Sequence, residues 1–99
     1  GDNKASRALY EECLAIRLER GDKCGAAFSY LHLGILARDN LADYEQARSL
    51  YEQSLALSRE LGDKAGIANS FNDLGYVAYL QGDHQRAWDL LQEGLAASG

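Results

Sequence analysis

The chain has no proline and no methionine among its 99 residues, one tryptophan and two cysteines. Without proline, whatever ends a helix here must be a glycine or a capping side chain. The missing methionine extends to position 1, as expected of a piece cut from a longer protein. Cys13 and Cys24 make no framework, because there is no CxxC and no histidine at ligand spacing from either thiol. They are expected to be small, half-buried free thiols of a reducing, cytoplasmic compartment, with a Cys13–Cys24 bridge as the alternative.

Long apolar runs are absent as well. None approaches the ~18 residues of a membrane span, and no signal-peptide pattern opens the chain. The formal charge is −5, with acids and bases interspersed. No basic stripe stands ready to neutralise phosphates, so neither nucleic acid nor an anionic membrane is an expected partner. HExxH, GxSxG, the P-loop and the glycine-rich dinucleotide turn are all missing. Glu11, Glu12, Glu45, Glu52 and Glu60 read as wet helix faces. The expectation is a non-enzyme without catalytic residues, metal or cofactor.

What is present is a repeat. "GDKCGAAFSYLHLG" at 21–34 returns as "GDKAGIANSFNDLG" at 62–75, 41 residues later. Laying 2–39 on 43–80 matches 17 of 38 positions. The match resumes at an offset of 40, with Asp43 on Asp83, Ala47 on Ala87, Leu50 on Leu90 and Leu55 on Leu95. One extra residue therefore sits near Asn40, Leu41 and Ala42, and loops absorb such slips more readily than packed helices. Ser54 and Ala65 stand where the other copy has Cys13 and Cys24, which argues against a bridge.

Within each unit the period is helical. Ala47, Leu50, Tyr51, Ser54, Leu55, Leu57, Ser58 and Leu61 draw one small and apolar stripe, and Leu33, Leu36 and Ala37 do so in the neighbouring segment. Gly21 and Gly62 fall where a left-handed residue ends a helix. Asp22, Asp43, Asp63 and Asp83 stand where a side chain accepts the first free amides of the next. Five helices are predicted, over about 3–20, 23–39, 44–61, 64–81 and 84–97.

Tyr30, Leu33, Gly34 and Ala37, then Ala47 and Tyr51, return as Phe71, Leu74, Gly75 and Ala78, then Ala87 and Leu91. This pattern resembles the tetratricopeptide repeat, in which glycine and alanine let helix A lie against helix B. It covers the whole chain as one array: an unpaired B helix at 1–20, repeat one at 22–61 and repeat two at 63–99. The closing proline of the family is absent, and the period is 40–41 rather than 34. Such long-period repeats resemble those of kinesin light chains and of bacterial signalling ATPases and transcription regulators. The resemblance implies an all-α class, an antiparallel α-solenoid wound as a right-handed superhelix. It also implies a protein-interaction scaffold whose A helices line a concave groove.

The differences between the two copies then mark candidate groove residues. Ala27/Ala68, Ser29/Ser70, Leu33/Leu74, Gly34/Gly75 and Ala37/Ala78 are kept, whereas Phe28/Asn69, Leu31/Asn72, His32/Asp73, Ile35/Tyr76, Arg38/Tyr79 and Asp39/Leu80 change kind. Positions 69, 72, 73, 76 and 80 share one helix face. The candidate peptide-binding set is Phe28, Leu31, His32, Ile35, Arg38, Asn69, Asn72, Asp73, Tyr76 and Tyr79. Each has a plainer alternative. The asparagines are equally readable as solvated amides, the tyrosines as half-buried packing, and His32 as a structural or solvated ring. Arg38 has Asp39 and Asp43 nearby to neutralise it.

Trp88 stands where repeat one has Arg48, a position expected to face solvent. Neither end reads as a polar cap. Leu9, Tyr10, Leu14, Ile16 and Leu18 crowd the first helix, and Trp88, Leu90, Leu91 and Leu95 the last. The function expected is binding of an extended peptide segment or a partner protein, within a larger signalling or regulatory protein. The alternative is a structural spacer or oligomerisation segment with no groove ligand. Self-association through the terminal helices is expected in either case.

Overall fold

Glycine and aspartate alternate at three of the four joints of the chain, and in the computed structural model they do the work that proline would otherwise share. Residues 2–40 and 43–98 are described. They form five helices: α1 (Asp2–Glu19), α2 (Lys23–Asn40), α3 (Tyr44–Leu61), α4 (Lys64–Leu80) and α5 (His84–Ser98). No strand occurs among the described residues. Gly21, Gly62 and Gly82 take φ values of 71°, 68° and 84°, the left-handed region that favours glycine. The amide after each reaches back to close the helix end, with Asp22 N–H to Arg17 O at 2.8 Å, Asp63 N–H to Ser58 O at 3.0 Å and Asp83 N–H to Ala78 O at 2.9 Å. Every expected cap is made: Asp22, Asp43, Asp63 and Asp83 accept from the amides of Gly25, Gln46, Gly66 and Arg86 at 2.9–3.1 Å.

The remaining joint carries the extra residue. Asp43 N–H reaches Ala37 O at 3.0 Å, whereas Asp83 N–H reaches Ala78 O, one residue fewer. The slip between the copies is therefore absorbed between Ala37 and Asp43; Leu41 and Ala42 lie outside the described residues.

Each helix packs on the one before and the one after, most extensively α2 on α3 and α4 on α5. The array measures 35 × 32 × 15 Å. The short dimension is that of two helix layers about 10 Å apart, each a Cα cylinder of ~2.3 Å radius. The fold is thus an all-α repeat solenoid. Ala37, Ala47, Tyr51, Leu55, Phe71, Leu74 and Val77 form its core across α2, α3 and α4. Buried serines stitch the layers, with Ser54 Oγ donating to Ala27 O at 3.1 Å.

Three expectations are corrected. Cys13 and Cys24 are free but exposed rather than half-buried. Ser54, the counterpart of Cys13, is covered because it bonds into α2; no described helix covers Cys13 from the corresponding side. Cys24 lies in the first turn of α2, before the helix reaches the core. Leu61, expected in the stripe of α3, is 44% exposed because it is the last residue of that helix. The ends of α1 and α4 fall at Glu19 and Leu80, one residue earlier than predicted.

Candidate binding groove

Positions kept between α2 and α4 are the ones the fold consumes. Ala27, Ala68, Ser29, Ser70, Leu33, Leu74, Gly34, Gly75, Ala37 and Ala78 are all buried. A Cβ at Gly34 would lie 2.7 Å from Tyr51 Cε1, so glycine there is what lets α3 approach α2. The positions that change kind stay open or half open. Phe28, Asn69, Asn72, Tyr76 and Tyr79 are exposed, while Leu31, His32, Ile35, Arg38 and Asp73 are half-buried.

Not all ten candidates present themselves alike. Leu31 and Ile35 lean on the core cluster, so most of their apolar surface already has neighbours. His32 is sandwiched: its ring stacks on Tyr10 with centroids 5.1 Å apart and 2° between planes, and Phe28 tilts against it at 4.2 Å. The structural alternative for His32 is the one its geometry supports. Tyr79 meets His84 edge-on at 5.3 Å, turning it towards the α4–α5 joint. Asn69, Asp73 and Tyr76 continue along α4 on the side that adjoins α2, whereas Asn72 Oδ1 lies against α5, 3.2 Å from where a Cβ on Gly94 would stand.

Arg38 ties the two A-type helices together. Its guanidinium donates to both carboxylate oxygens of Asp39, at 2.7 and 3.2 Å, and lies 4.8 Å over the Tyr76 ring. Asp39 was expected as its neutralising partner; Asp43 caps α3 instead. The bond to Arg38 holds the Asp39 carboxyl below its usual range, and the same bond raises Arg38. Asp73 is different. Burial pushes its carboxyl upward, with Arg38 pulling the other way. Burial, then the nearby Asp73 charge, also raises the Tyr51 phenol, whose hydroxyl has no hydrogen-bond partner.

Sequence reasoning did not find the cavity beside this face. It has a volume of about 210 Å³ and lies where the first turns of α2 and α4 meet over α3. Phe28, Leu31, Ser54, Ser58, Asp63 and Asn69 line it. The signal was present in the sequence, since Ser58 stands where the other copy has Arg17.

Among the described residues no group of three His, Cys, Asp or Glu side chains is arranged to hold a metal. No described helix is long and apolar enough to cross a membrane. The arrangement offers exposed amides, phenol rings and one neutralised arginine, which is equipment for contact with another chain. No curated protein and no solved structure matches the chain. The family model of the tetratricopeptide repeat matches residues 26–98, well over half of it, and the chain belongs to the tetratricopeptide repeat family.

Proposed function

We propose that the α2/α4 face is a concave groove that binds an extended peptide segment or a partner protein, without catalysis. Repeats of this family are in general protein-interaction modules, and that much applies to the chain directly. One observation carries the finer reading: along α2 and α4 the positions that change kind between the copies remain exposed or half-buried, while the kept alanines, serines and leucines, with Gly34 and Gly75, are buried. Asn69 and Asn72 each offer a carbonyl acceptor and two N–H donors, suited to an extended backbone that has spent no hydrogen bonds on itself. Tyr76, 47% exposed, offers a broad ring with a polar tip and only two torsions to fix. Phe28, Leu31, His32, Ile35 and Arg38 continue the surface on α2; Asp73 and Tyr79 complete it on α4. On this reading the units are the B-type helix at 1–20 and repeats at 22–61 and 63–99, serving a larger signalling or regulatory protein of the cytoplasm.

The test is selection of binders from a random peptide library against the folded chain, followed by Tyr76→Ala with Asn72→Ala. A contact centred on these residues loses about 2 kcal/mol or more, some thirtyfold in affinity, with helical circular dichroism unchanged. Selected peptides that bind the folded double variant as well as the parent would overturn the groove. The alternative, a spacer or oligomerisation segment, is favoured by the exposed apolar residues of α1 and α5; it predicts that no peptide is selected.

A further inference from the structure

The cavity between α2, α3 and α4 is the place where the internal repeat is broken most sharply. At the α1–α2 contact the matching space is filled. Arg17 of α1 lies across Gly25, where an added Cβ would come within 2.7 Å of Arg17 Cδ and 2.9 Å of Nε. From there Nη1 donates to Gly25 O and to Ser29 Oγ, both at 2.9 Å. The repeat carries Gly25 to Gly66 and Ser29 to Ser70 unchanged, but Arg17 becomes Ser58. Ser58 is much shorter than an arginine, its Oγ ending 2.7 Å from where a Cβ on Gly66 would stand, and Ser70 Oγ, 1% exposed and next to the lining residue Asn69 in the chain, is left with no hydrogen-bond partner.

We infer that this cavity is a subsite for an arginine side chain of the bound partner, whose guanidinium takes the place that Arg17 fills between α1 and α2. The inference rests on the groove reading for the source of that arginine. The buried lining residues, Ser54 and Ser58 at 3% exposure, form the floor, and the exposed ones, Phe28 and Asn69, form the rim. At about 210 Å³ it exceeds the ~150 Å³ engineered cavity that takes up benzene. Among its lining residues only Asp63 is charged. Asp63 Oδ1 accepts from Gly66 N at 3.1 Å as the cap of α4, and a carboxylate has acceptor capacity beyond that bond. A guanidinium matches this set better than an ammonium does, because its planar fork addresses a carboxylate and a hydroxyl at fixed angles and stacks on an aromatic rim such as Phe28. The charge sign agrees with the chain's net −5.

The probe is acetyl-Ala-Arg-Ala-amide, titrated against the isotope-labelled chain beside its isosteric citrulline counterpart. The arginine peptide should shift the amides of Ser58, Gly66, Asn69 and Ser70, and the neutral citrulline peptide should bind about tenfold or more weakly. Equal binding of the two, or shifts confined to other acidic residues, overturns the subsite. Asp63→Asn keeps a competent cap while removing the charge, so it should weaken the arginine peptide alone; no loss overturns it. Ser58→Arg is the arm that needs no ligand. Its guanidinium should reach Gly66 O and Ser70 Oγ, leaving Tm at or above the parent value while abolishing peptide binding. A lowered Tm means that position 58 does not accept an arginine and the equivalence fails. None of these variants touches Tyr76 or Asn72, so failure here leaves the groove test standing on its own.

Discussion

At the residue scale, two glycines at matched positions are held by different neighbours. A Cβ on Gly34 would enter the Tyr51 ring at 2.7–3.1 Å, and that ring is wholly buried. A Cβ on Gly75 would meet Leu91 Cγ at 3.0 Å, on a side chain 40% exposed, and the backbone oxygen of Ala87 at 3.3 Å. Glycine in an open helix gains about 1 kcal/mol on changing to alanine. Gly34→Ala should instead cost about 1–3 kcal/mol through overpacking, while Gly75→Ala, whose contacts are a few tenths of an ångström looser, should cost less. Urea denaturation of both variants checks this, and equal effects would contradict the assignment. Asp73 supplies a pH-dependent counterpart. Its folded-state pKa is raised by burial, so its contribution is fully present below the ordinary carboxylate pKa and is lost as pH rises through the folded value. Asp39, lowered by Arg38, runs the other way, but it is exposed and contributes little. Asp73→Asn should therefore raise Tm at neutral pH, with the advantage shrinking as pH falls through the raised folded value and gone below the ordinary carboxylate range. Thermal melts across that range report it; a difference independent of pH would place the effect elsewhere.

At the scale of elements, helices of like type are not held alike. α3 is clasped on both sides, by α2 and α4, whereas the one extensive contact of α1 is with α2. Arg17 is the main polar tie of α1, with two charge-assisted bonds into α2. Arg17→Ala removes both and leaves Ser29 Oγ, a fully buried atom, without its donor. Bonds to a charged group contribute about 1.5–3 kcal/mol each at most, and an orphaned buried hydroxyl adds its own penalty. The loss should be local. Amide hydrogen exchange should accelerate in α1 while α3 and α4 keep their protection. Uniform acceleration across all five helices would mean that α1 is an integral part of one cooperative unit.

At the scale of the whole molecule, a solenoid leaves the faces of its last helices without the neighbour that interior helices have. The numbers show this through the repeat. Tyr51 is fully buried under α4, and its counterpart Leu91 is 40% exposed; Leu55 is 8% exposed and Leu95 is 67%. Leu9, Ile16 and Leu18 on α1, and Trp88 on α5, are between 44% and 62% exposed. Apolar surface of this extent is commonly covered by a partner or a second copy. Concentration-dependent self-association is expected, read by sedimentation velocity over the micromolar range. A single species of 10.9 kDa throughout would refute it.

Helix number, helix ends and the identity of the small packing residues were legible in the sequence, because each is a local matter. A left-handed glycine, an aspartate three residues before a free amide and an apolar period of 3.6 act within a turn or two of chain. The internal repeat extended that reach, since a second copy separates what packing demands from what it leaves free. What required the tertiary structure is everything that depends on how distant side chains meet. Arg38 was expected to find Asp39, but not the face of Tyr76. Nothing local announced that Tyr10 of α1 would stack on His32 of α2, or that Tyr79 would turn to His84 across the α4–α5 joint. The cavity over Ser58 belongs to three helices at once, so no one-dimensional pattern displays its volume. Exposure of Cys13 was misjudged for the same reason: burial is conferred by a neighbouring helix, and a thiol's own sequence context does not say whether that neighbour is there.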